Sequence, residues 1–168
     1  MSSDTSTSIP LGAMLVIPPD GGKVLSAFGS VTKFKLETEH TGGTFSLALA
    51  ETPPGVSPPP HVHHSDDELF LILEGEISVL SSDGWVPVTP GTAVYLPRGV
   101  PHTFRNTGTT PSRHWVLTLP SGFDQFYRQA AQLFAEGSAS PDRLGALART
   151  YGYEIFSPGA PFPARNGS

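Results

Sequence analysis

No cysteine occurs in the 168 residues. Disulfides, thiolate nucleophiles, iron–sulfur clusters and sulfur-ligated structural zinc are therefore excluded, and any metal must be held by nitrogen and oxygen. Charge is also scarce: 15% of residues are Asp, Glu, Lys or Arg, and the net charge is −5. A chain without a broad basic surface is poorly suited to phosphate backbones, so no nucleic acid is expected as partner and a small molecule is. Long apolar runs are missing as well. The stretch Leu11–Ile17 is too short for a membrane span and has no basic residues before it, so neither a membrane nor a signal peptide is expected and the location is read as cytoplasmic.

Turn residues, by contrast, are plentiful, with 18 Gly and 18 Pro spread along the chain. Short strands joined by turns fit this better than long helices do. At 17.8 kDa the size suits one domain. That domain is placed at residues 11–158, between flexible tails at 1–10 and 159–168. Strands are expected at Val31–Glu37, Thr44–Glu51, Glu68–Leu73, Ile77–Leu80, Trp85–Val88, Thr92–Leu96, His102–Asn106 and Trp115–Leu119. Phe45, Leu47 and Leu49 share one face of the second, and His40-Thr-Gly-Gly43 before it reads as a turn with His40 as a polar turn residue. Glu68–Leu73, apolar on both faces after its first residue, reads as an interior strand. Ser81-Ser-Asp-Gly84 marks a hairpin, its glycine supplying a positive φ. The middle of the chain, about 28–120, is thus an antiparallel barrel or sandwich. Beyond it, about 122–152, two amphipathic helices are expected. Phe123, Phe126, Tyr127, Ala130, Ala131 and Phe134 recur at helical spacing up to Gly137, and Ser140-Pro141 starts a second helix that Gly152 stops.

The chemistry is concentrated at His61-Val-His63-His64-Ser-Asp-Asp-Glu68, behind the rigid run Pro58-Pro59-Pro60. Along an extended segment His61 and His63 project to one face and Val62 and His64 to the other. Glu68 enters on the next strand in phase with Phe70 and Ile72, where a carboxylate without a partner would be costly. A divalent cation supplies that partner and accounts for the two histidines beside it. His102 follows the turn Pro97-Arg-Gly99-Val-Pro101, with Phe104 in phase behind it. His61, His63, Glu68 and His102 are therefore the expected ligands. His64, Asp66 and Asp67 fall on the opposite face or in the bend and are read as solvated. His114, beside Arg113 and Trp115, is read as an ordinary histidine with no part in the site.

These residues also carry a family resemblance. Gly55, five residues, His61-Val-His63, four residues, Glu68, six residues and Gly75 resembles the first motif of the cupin superfamily. Gly91, five residues, Pro97-Arg-Gly99, two residues, His102, three residues and Asn106 resembles the second. The resemblance implies an all-β double-stranded β-helix, or jelly roll, with the three histidines and Glu68 in the barrel mouth and a short C-terminal two-helix extension. It implies one divalent transition metal per chain, iron, manganese, nickel, copper or cobalt, with zinc also admissible. Residues 28 to 158, up to Tyr151-Gly-Tyr-Glu-Ile-Phe, are more loosely similar to single-domain quercetin dioxygenase-like cupins, and the resemblance extends to pairing as a homodimer.

The implied activity is that of a metal-dependent dioxygenase. It would cleave a flavonol or similar enolisable aromatic hydroxy-ketone with dioxygen and release carbon monoxide. In this reading Glu68 takes the enol proton as the catalytic base, and Phe70, Ile72 and Phe104 form a dry wall against an aromatic substrate. Two alternatives use the same ligands: a non-oxidative isomerase, lyase or cyclase that stabilises an enolate, and a non-enzymatic small-molecule-binding cupin with the metal as a structural clip.

Overall fold

Strands are short because turn residues interrupt every apolar run, and the computed structural model, which describes Gly12 and residues 14–157, follows that punctuation. The elements in order are β1 (Lys23–Ala27), β2 (Ser30–Leu36), α1 (Thr38–Thr41), β3 (Ser46–Thr52), β4 (His61–His63), β5 (Asp67–Glu74), β6 (Ile77–Ser81) and β7 (Gly84–Val88). They continue with β8 (Ala93–Leu96), β9 (Thr103–Asn106), β10 (Ser112–Leu119), α2 (Phe123–Ala135), α3 (Pro141–Thr150) and β11 (Tyr153–Ile155). All eight strands read from the sequence are present. β1, β4 and β11 are additional, and the sheet begins at Lys23 rather than near residue 28. The expected turn at His40-Thr-Gly-Gly43 is instead a short helix, closed by Gly42 in the left-handed region. His40 has a structural task there, because its Nδ1 accepts from the Glu37 backbone N–H at 3.0 Å. The tails at 1–10 and 159–168 lie outside the described residues.

Six strands form one sheet in the order β1-β2-β3-β10-β5-β8, three form a second in the order β7-β6-β9, and β11 pairs with β4. A bridge between His61 and His102 joins β4 to the start of β9. The resulting antiparallel jelly roll encloses an apolar cluster drawn from both sheets: Ala50, Phe70, Ile72, Ile77, Val79, Val88, Leu96, Phe104 and Val116. Gly75 ends β5 where the chain passes over β10. A Cβ there would lie 2.8 Å from Ser112 Cα, and its φ of 82° disfavours other residues.

The large sheet departs from simple amphipathic patterning. On β3 the inward residues are Ser46, Ala48, Ala50 and Thr52, while Leu47 and Leu49 face outward. On β5 Glu68, Phe70 and Ile72 face inward, whereas Leu71 and Leu73 are exposed. β5 is therefore central in its sheet but covered on one face only among the described residues. On β10 the inward set is Ser112, His114, Val116 and Thr118. Small and polar side chains on the inner face leave the barrel partly hollow.

One end of that hollow is closed by the helices. Phe126, Tyr127, Ala130 and Ala131 of α2 pack with Ala27, Phe34 and Ala48 of the sheet, Leu144 and Ala148 of α3, and Tyr153 of β11. Burial of each large side chain contributes roughly 1.5–3 kcal/mol, enough to fix a helix of this length that would be marginal alone. Phe134, at the far end of the stripe, is 38% exposed. α3 starts as its sequence implies, with Pro141 in the first turn and the Ser140 hydroxyl accepting from Arg143 N–H at 3.3 Å.

Candidate metal centre and cavity

β4 carries His61 and His63 on one face, with Val62 buried on the other. The bridge places His102 beside them: His61 N–H donates to His102 C=O at 3.0 Å and His102 N–H to His61 C=O at 2.8 Å. Glu68 reaches the same space from the start of β5, paired with Leu96 on one side and Thr118 on the other. One donor atom from each of His61, His63, Glu68 and His102 lies within 4.8 Å of every other. His63, Glu68 and His102 are buried and His61 retains some exposure.

Each imidazole is oriented by an oxygen at Nδ1. For His61 this is the Pro59 carbonyl at 2.9 Å, for His102 the Val100 carbonyl at 2.8 Å, and for His63 the Asp66 carboxylate at 2.8 Å. With Nδ1 donating, Nε2 presents its lone pair, the arrangement metal-ligating histidines adopt. The His102 Nε2 lies 3.0 Å from Glu68 Oε2. Donors about 2.0–2.2 Å from a common ion are roughly 3–4.4 Å apart, so the cluster needs little contraction to hold one. The set thus fits a divalent metal that accepts nitrogen and oxygen ligands.

Electrostatics favour the same use. Burial, and then the neighbouring His102 and His63, lower the His61 pKa to about 3, so this ring is a neutral lone-pair donor. Burial opposes the Glu68 charge, but His63, His102 and His61 outweigh it and hold the carboxyl at about 2. Burial likewise opposes charge on His63, yet Glu68 and Asp66 raise its pKa.

Three side chains take places that their sequence positions did not suggest. Asp66 is not solvated: it is 3% exposed and orients His63. A short bend turns it back under β4, and the i, i+3 spacing from His63 was the available signal. Tyr153 of β11 sits opposite His63 in the strand register, its ring centroid 4.3 Å from the imidazole. Burial, with Asp66 and Glu68 nearby, raises its pKa. His114 is fully buried and in ring contact with Phe70 and Phe104, and neither of its ring nitrogens has a hydrogen-bond partner. His64 and Asp67 follow expectation, His64 being exposed beside Glu154 and Asp67 bound by Arg98 at the surface.

The cluster opens into a cavity of about 80 Å³ that runs into the barrel. Phe70 and Phe104 line it, joined by Phe28 from the β1–β2 turn and Phe123, Phe126 and Tyr127 from α2. Ile72 does not line it and packs in the apolar cluster behind. Among the described residues, no Lys or Arg lines it.

An antiparallel jelly roll with three histidines and a glutamate at its mouth defines a class of protein. Residues 48–118 match the cupin domain family, and the chain belongs to the cupin superfamily. It is 25% identical over 142 residues to quercetin 2,3-dioxygenase of Bacillus subtilis (strain 168), covering 84% of this chain and 42% of that protein. Germin-like protein 1-3 of Oryza sativa subsp. japonica is 30% identical over 143 residues, 77% of this chain and 60% of that one. The chain spans less than two thirds of the length of the curated relatives it matches. Among solved structures, the polyketide cyclase RemF of Streptomyces resistomycificus superposes with a TM-score of 0.57 at 25% identity, covering 65% of this chain and 81% of that one.

Proposed function

We propose that the protein is a metal-dependent dioxygenase that cleaves a flavonol or a related enolisable aromatic hydroxy-ketone. The observation that carries this reading is the joining of a four-ligand N/O cluster to a cavity walled by aromatic rings, with no Lys or Arg among its described lining residues. Such a wall suits a flat neutral ligand and gives no counter-ion to a phosphate. The similarity to quercetin 2,3-dioxygenase supports the same substrate class.

A divalent transition metal held by His61, His63, Glu68 and His102 would act as a Lewis acid, lowering the pKa of an enol oxygen presented to it. The chain's own residues do the rest. Glu68, ionised at neutral pH, receives the enol proton, while the three histidines, each fixed at Nδ1, keep the cluster in place when the carboxylate is protonated. Phe70, Phe104 and Phe123 exclude water and align the ring. The exposed apolar side chains Leu71, Leu73 and Tyr95 on the outer face of the large sheet support the homodimer reading, which sedimentation as a monomer at micromolar concentration would contradict.

The test is elemental analysis of freshly purified protein followed by oxygen uptake with flavonols on that same metal form. Flavonol-dependent oxygen consumption with carbon monoxide release is expected. Turnover under strict anaerobiosis would instead favour a non-oxidative cyclase, the reading that the likeness to the polyketide cyclase supports.

A further inference from the structure

An imidazole carries one N–H donor and one lone-pair acceptor, and burying both without partners costs about 1–3 kcal/mol. His114 does this at 0% exposure. Folding gives no reason for it, because a phenylalanine or leucine in the same inward position of β10 would avoid the cost. The ring is held edge-on by Phe70 at 4.8 Å and Phe104 at 4.9 Å, and all three side chains line the cavity.

The other polar side chains of the cavity wall, apart from the ligands His61, His63 and Glu68, are already hydrogen-bonded. Ser30 is bonded to Thr52 at 3.0 Å. Thr32 donates to the Tyr127 hydroxyl at 2.9 Å, which donates to the Ala27 carbonyl at 3.1 Å. Tyr153 is bonded to Asp66. His114 is thus the one lining side chain, outside the ligand cluster and among the described residues, whose polar atoms have no hydrogen-bond partner at all.

We propose that His114 is a recognition residue: it hydrogen-bonds a neutral hydroxyl of a phenolic ligand whose other polar end lies at the His61, His63, Glu68 and His102 cluster. This deepens the aromatic-substrate reading above and rests on it. A hydroxyl suits the position because it can accept from the N–H or donate to the lone pair, whichever tautomer is present. Burial lowers the His114 pKa to about 4, so the ring is neutral at physiological pH and offers no charge to a carboxylate or phosphate. The cavity volume of about 80 Å³ is several times the roughly 10–15 Å³ one water needs. That leaves room for a ligand hydroxyl.

The test is calorimetric titration of metal-loaded wild type and His114→Phe with 3-hydroxyflavone and its singly hydroxylated derivatives, one for each ring position. At least one derivative should bind wild type about tenfold or more tightly than the parent, as one neutral hydrogen bond in a dry site provides. That preference should vanish in His114→Phe while the parent's affinity stays within about threefold and the melting temperature rises. A preference that persists in the variant, or no preference in wild type, overturns the assignment. Should no flavone bind, the flavonol reading falls, and His114 is judged on phenol against toluene, where equal binding to wild type overturns its role and a phenol preference lost in the variant upholds it. His114→Leu repeats the comparison should the Phe variant not fold.

Discussion

The Nδ1 atom of His63 lies 2.8 Å from Oδ2 of Asp66, and both side chains are buried. Asp66 therefore fixes the imidazole tautomer without belonging to the ligand cluster, and its loss acts through His63. Asp66→Ala should weaken metal binding by about 10–100-fold, the usual effect of removing such a support. Competition with a calibrated chelator measures this. Unchanged affinity would mean that the ring is held by Tyr153 alone.

Removal of a clustered ligand has a different signature. His102→Ala should abolish stoichiometric metal and turnover while the far-UV circular dichroism stays that of a folded barrel, since its backbone bridge to His61 uses main-chain atoms only. Glu68→Gln separates proton transfer from binding. If Glu68 is the base, the variant loses about 10²–10⁴-fold in rate at whatever occupancy it retains. Turnover proportional to occupancy would reduce Glu68 to a ligand.

Gly152 controls the site from the C-terminal side. Its φ is 75°, and a Cβ there would lie 2.0 Å from Ser65 Oγ. Gly152→Ala should destabilise the protein by about 1–3 kcal/mol and displace the bend that carries Asp66. Adding Ser65→Gly should recover the steric part and leave the backbone part, as read by urea denaturation.

Burial places His114 at about 4 in the folded protein, against 6.5 for a solvated imidazole. Between these values the unfolded chain binds a proton that the folded chain does not, so stability falls as pH drops through the window and is level above it. The full amplitude is on the order of 3 kcal/mol. His114→Phe lacks this component, so its stability advantage over wild type should grow as pH is lowered from 7 to 4. A constant difference across that range would show that the imidazole gains its proton without penalty.

The spacing of glycines, histidines and Glu68 made the barrel and the ligand cluster legible because those residues answer to local rules: strand phase for His61 and His63, turn chemistry for Gly75 and Gly91. The cavity was not legible for the opposite reason. Patterning assumes that large apolar residues point inward, yet on β3 the alanines do and the leucines do not, and on β10 His114 and Thr118 point in while Trp115 and Leu117 point out. A hollow interior inverts the rule, and it hid His114. Asp66 and Tyr153 were missed because their roles depend on contacts, a bend beneath β4 and a strand about ninety residues away, that no local period encodes.

The pairing of β11 with β4 also sets an order of events. The first two ligands lie at His61 and His63, but the strand that braces them, Tyr153–Ile155, follows both helices. During synthesis all four ligands emerge before this brace, so β11 can pair with β4 only after the rest of the cluster is available. Assembly of the finished centre is thereby a late step in the life of the chain, and truncation of the brace is expected to be felt first at the histidines, not in the barrel.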